Sequence, residues 1–116
     1  MAMKSIVIAM YEKNSQKIAE VCRDHDIYAF SGKESLDEYI ERLRKPIRKN
    51  SYIITDEEGG TPFLAALIAS ADTESRIIFD VNIDNIINII HAIENGEDLL
   101  SVIGENKVID SLRTDS

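Results

Sequence analysis

Four short apolar runs, each followed by a stretch with helical spacing, leave this chain few folds to choose from. The runs are SIVIAM (5–10), DIYAFS (26–31), SYIIT (51–55) and RIIFDV (76–81). Short β-branched runs bounded by polar joints read as buried strands. After the first, Ile18, Ala19, Val21 and Cys22 recur at helical spacing, with Asn14 or Ser15 placed to cap the helix. After the second, Leu36, Tyr39, Ile40, Leu43 and Ile47 form a helical stripe, and Ser35 with Glu38 has capping-box spacing. Pro46 falls where it would kink or end that helix. FLAALIASA, after the third run, is apolar nearly all round and predicts a helix enclosed between a sheet and another layer. In IDNIINIIHAIE (83–94), Ile86, Ile87, Ile90 and Ile93 face inward, and Asn95–Gly96 supplies a C-cap. LLSVIGENKVIDSL reads as a last helix interrupted near Gly104, and RTDS as a frayed tail.

Strands alternating with helices imply right-handed crossovers and a mostly parallel sheet. The expected fold is a three-layer α/β/α sandwich with a central sheet of about four strands, in a single domain over residues 1–116. Such folds bind ligands at the carboxyl ends of their strands, near the topological switch point. The joints YEKNS, DEEGGTP and VNID are therefore the places to look for function.

Composition narrows the partners. Thirteen Lys and Arg stand against 21 Asp and Glu, a formal charge of −8. That balance argues against nonspecific nucleic-acid binding and against an anionic membrane surface. A single cysteine, Cys22, excludes an intrachain disulfide, and its place on the helical stripe marks it as a buried structural thiol. The amino-terminal apolar run is too short for a signal peptide, and no later run reaches membrane-spanning length. A cytoplasmic protein is the expectation.

DEEGGTP combines features that pull in opposite directions. Gly59 and Gly60 permit a tight turn, Thr61 is placed to cap the next helix, and Pro62 falls at its first position. The free amides of a helix start, with its dipole, seat an anion such as a phosphoryl group. The same turn without a ligand is simply a well-capped strand-to-helix joint. Three acids, Asp56, Glu57 and Glu58, crowd the seat.

IITDEEGGTPFLAAL resembles the signature segment of the mannose-family enzyme IIA domains of the bacterial sugar phosphotransferase system. In that family a strand ends in aspartate and is followed by two residues, Gly-Gly, Ser or Thr, Pro and a small-residue helix. SIVIAM resembles the family's first strand, IYAFSGKESLDEYIERL its second strand and helix, and IIFDVNIDNIINII the segment around its Val-Asn. The likeness runs from about residue 5 to about residue 95. It implies a phosphocarrier without a cofactor. A histidine at the end of the first strand would take a phosphoryl group from HPr and pass it to an enzyme IIB domain. Asp56 would match the carboxylate that orients that histidine. Gly59, Gly60, Thr61 and Asn82 would match the residues around the phosphoryl oxygens. Family members are commonly cytoplasmic homodimers that work with a membrane permease.

The family's first strand ends Ser-His-Gly, where this chain reads Met10, Tyr11 and Glu12. The phosphoacceptor histidine thus maps onto Tyr11. Imidazole is a competent acceptor and leaving group near neutral pH, whereas phenols ionise near pH 10 and form far less labile esters. Reversible transfer at Tyr11 is not expected. The two histidines, His25 before the second strand and His91 along a helix, both map away from the site. The family has an apolar pair in place of Glu57 and Glu58, and a glycine in place of Asp80. At about 6 Å and an effective dielectric near 20, each carboxylate facing a phosphoryl group would cost on the order of a few kcal/mol. A helix N-terminus returns only about 1 kcal/mol.

The expectation is therefore an enzyme IIA-like component that binds or regulates without being phosphorylated. It would dock HPr or an enzyme IIB-like protein and pair as a homodimer through the apolar surface of FLAALIASA and IINII. The alternative is a small-ligand or divalent-metal-binding protein using the acidic edge, where Glu12, Asp56 and Asp80 are the carboxylates available to Mg²⁺ or Ca²⁺.

Overall fold

A computed structural model describes residues 5–103 and 107–114. One five-stranded sheet runs through it, in the order β2-β1-β3-β4-β5. Its strands are β1 (Ile6–Tyr11), β2 (Ile27–Phe30), β3 (Tyr52–Thr55), β4 (Arg76–Ile78) and β5 (Val108–Asp110). The first four are parallel and β5 is antiparallel to β4. Among the described residues, five α-helices flank the sheet: α1 (Glu12–Ile18), α2 (Leu36–Arg44), α3 (Thr61–Ala69), α4 (Ile86–Glu94) and α5 (Leu99–Ile103).

Strand alternation divides the core in two. Val7, Ala9, Ile53 and Ile77 face α2 and α3, packing on Tyr39, Leu43, Phe63, Ala65 and Ala66. Ile8, Met10, Ile54 and Ile78 face the other way, onto Ile18, Cys22, Ile86, Ile89, Ile90 and Leu99. This is the expected α/β/α sandwich. Strand order reverses between β1 and β3, so the switch point lies between the ends of those two strands.

Several boundaries differ from the sequence reading. The last segment is not one helix: α5 is short, and KVID supplies the edge strand β5, making five strands rather than four. Ile109 lies opposite Ile77 and Val108 opposite Ile78, so a β-branched pair extends the ladder where its helical spacing was ambiguous. The expected break at Gly104 lies outside the described residues. β4 stops at Ile78, two residues before Asp80 takes a left-handed φ of 54°. The helix after it opens with a 3₁₀ turn (Ile83–Asn85), and Ile89 is fully buried where Ile87 is only half-buried. The tail is tied down as far as Thr114, whose amide and hydroxyl both donate to the Asp72 carboxylate at 2.9 and 2.6 Å.

The caps read from sequence divide the same way. The Ser35–Glu38 capping box forms, and α2 ends at Arg44, just before Pro46. At the end of α4, the Glu97 amide reaches the Ala92 carbonyl and the Gly96 amide reaches Ile93, with Gly96 at φ 69°. That is a Schellman closure. Helix α1 starts earlier than expected, directly after β1, so Asn14 and Ser15 lie buried within it and Tyr11 is the N-cap.

Candidate functional site

The site is assembled from β1, the start of α1 and the β3–α3 turn. Asp56 follows β3 at the switch point and is 5% exposed. Its Oδ2 accepts the Tyr11 amide at 2.9 Å and the Asn14 side-chain amide at 2.7 Å. Its Oδ1 accepts the Glu57 amide at 2.9 Å. A buried carboxylate needs such donors, and these three leave it compensated. Asn14 was missed as a site residue. It stands one helical turn past the end of β1, a signal that becomes readable once α1 is known to begin at Glu12.

Tyr11 turns its ring over the glycine turn. Its hydroxyl accepts the Thr61 amide, the first of α3, at 3.0 Å. Phe30 lies edge-on to the ring, with centroids 6.3 Å apart. The anion seat expected at this helix start is thus occupied from within. Two further amides of the turn are also taken. Glu57 N–H is taken by Asp56, and Gly60 N–H donates to the Glu57 carbonyl at 3.1 Å. Pro62 has no N–H to give.

The two glycines serve different ends. Gly59 adopts φ 77° with open space around it, so its role is conformational. Gly60 has ordinary φ, but a Cβ there would lie 3.0 Å from the Tyr11 hydroxyl and 3.1 Å from Cε2. Gly60 is therefore the space that Tyr11 needs. Thr61 is not the cap expected from sequence. Gly60 is the N-cap, Thr61 is the first residue of the helix, and no side chain caps it. The Tyr11 hydroxyl, from another strand, takes that place.

The acidic residues do not converge. Glu12, Glu57, Glu58 and Asp80 are exposed while Asp56 is buried. Among the described residues, no group of three His, Cys, Asp or Glu is placed to hold a metal ion, so Glu12, Asp56 and Asp80 do not form the set considered above. The Lys13 ammonium lies 4.0 Å from Glu57, an exposed pair worth little. Asn82 is engaged locally. Its side chain accepts the Asp84 amide at 2.9 Å, starting the 3₁₀ turn. It lines a cavity of about 110 Å³ with Asp80, Asn85, Ile89 and Lys107, which includes neither Tyr11 nor the glycine turn.

His25 is half-buried, 4.0 Å from Glu94, and His91 is exposed on α4. Cys22 is buried, and desolvation raises its thiol pKa, which leaves it a poor nucleophile. No helix among the described residues is long and apolar enough to cross a membrane. No protein-family model, curated protein or solved structure matches the chain.

Proposed function

We propose that this chain is an enzyme IIA-like component of the bacterial sugar phosphotransferase system that binds partners without accepting a phosphoryl group. The observation that carries this reading is the Tyr11 hydroxyl on the Thr61 amide, at 3.0 Å. The motif residues Asp56, Gly59, Gly60 and Thr61 support the likeness, since they gather with Tyr11 at the carboxyl ends of adjacent strands. Tyr11 then explains why the reaction is lost. It removes the imidazole and puts a phenol hydroxyl on the helix-start amide instead. The partners that fit are HPr or an enzyme IIB-like protein at this strand edge, with a second copy of the chain in a homodimer, all in the cytoplasm.

The test is incubation with phosphoenolpyruvate, enzyme I and HPr, followed by intact-mass measurement, alongside a binding assay against HPr and enzyme IIB. The proposal expects no added phosphoryl group on the native chain and measurable binding to one of the proteins. An acid-labile adduct would overturn the non-catalytic reading, and absence of binding to every component would overturn the family reading.

A further inference from the structure

A groove lies at the other end of the sheet. It encloses about 550 Å³ between the amino ends of β3 and β4 and the residues after β5. That volume is within the range of small-molecule sites. Its inner wall is made of hydroxyls. Ser51 and Ser75 are almost wholly buried, and Ser111 is 9% exposed. They fix one another: Ser51 N–H donates to Ser75 Oγ at 3.0 Å, and Ser75 N–H donates to Ser111 Oγ at 2.9 Å. The rim carries Asn50 and Glu74, both held at left-handed φ (63° and 55°). Such backbone strain persists only where the surroundings enforce it.

The side chains around this wall are rich in unspent donors. Arg76 and Arg113 both line the groove, and among the described residues neither guanidinium makes a hydrogen bond. The nearest acid to Arg76 is Asp110, at 4.0 Å. The second acid, Glu74, is matched by Lys49 at 3.7 Å. The lining itself pairs Arg76 and Arg113 with Glu74 and Asp110, and Lys49 beside Glu74 adds a third cation next to the groove, in a chain of net charge −8. Guanidinium forks match the paired oxygens of phosphate and carboxylate groups.

We propose that this groove binds a small dianion, a phosphate monoester or a dicarboxylate, with Arg76 and Arg113 on its charged oxygens and Asn50 and Ser111 on its polar body. This assignment is independent of the function proposed for the glycine turn, which lies at the opposite ends of the strands.

The experiment is an amide-resolved NMR titration of the full chain with glycerol phosphate in one arm and malonate in the other, at constant ionic strength. Saturable shifts are expected at Asn50, Ser75 and Ser111 in at least one arm, with Gly60 and Thr61 unmoved. The arm that saturates tells which dianion is preferred. In an Arg76→Gln, Arg113→Gln double variant, affinity should fall on the order of tenfold or more. Its spectrum away from the groove reports whether the fold is kept; if it is not, the single Arg113→Gln variant, on the irregular segment after β5, carries the comparison. No saturable shift in either arm, shifts centred on Gly60 and Thr61, or unchanged affinity in the folded variant would each overturn the proposal.

Discussion

Tyr11 and Gly60 form a matched pair, and the match is measurable. Tyr11→Phe removes the acceptor of the Thr61 amide and should cost about 1 kcal/mol in chemical denaturation, with the fold kept. Gly60→Ala brings a methyl group to 3.0 Å from the Tyr11 hydroxyl and should cost about 1–3 kcal/mol. Because its φ is −74°, that cost comes from contact rather than backbone strain. It should shrink by more than about 0.5 kcal/mol in a Tyr11→Ala background, a coupling that a double-mutant cycle reads directly. Additive costs would refute the pairing. None of this was legible in the sequence. Tyr11 and the glycines were singled out, but as a missing histidine and a phosphate cradle. A hydroxyl capping a helix 50 residues away leaves no local pattern.

Among the elements, α2 was the most legible because its signals are local. The capping box, the helical stripe and Pro46 all agree, and the helix forms where they place it. Glu38 is held below the usual carboxylate range by hydrogen bonds from the Ser35 backbone and then its side chain. A depressed carboxylate stabilises the fold above its unfolded pKa, about 4.3, and that stabilisation is lost as pH falls through the lower folded value. Glu38→Gln should therefore flatten part of the loss of stability below about pH 4.3 in acid titrations, while leaving the neutral-pH helix content unchanged. An acid limb identical to that of the native chain would contradict it. The misread elements are those decided by tertiary contact. β5 is three residues long and exists because β4 offers an edge. Helix α3 is less enclosed than its composition suggests: Leu64 and Ile68 are 43% and 42% exposed.

For the whole molecule, the strand–helix alternation was enough to foresee the three layers and to locate the switch point, because both follow from chain connectivity. It could not foresee which side chains would turn into that switch point. The two-sided core also explains the inert thiol. Cys22 packs with Ile18, Ile90 and Ile93 on the α1/α4 side. A thiol reagent should label it only as the fold opens, so the labelling rate should rise with denaturant in step with global unfolding. Rapid labelling of the native chain would contradict that packing.

The hydrogen bond between the Thr61 amide and the Tyr11 hydroxyl is the central feature of the site, and amide hydrogen exchange at Thr61 tests it most directly. In the native chain the Tyr11 hydroxyl accepts that amide, so exchange should be slow. In Tyr11→Phe the same amide should exchange at least about tenfold faster, the equivalent of one lost hydrogen bond, while core amides such as Ile54 are affected only through the change in global stability. Equal exchange at Thr61 in the two proteins would show that Tyr11 does not close the turn.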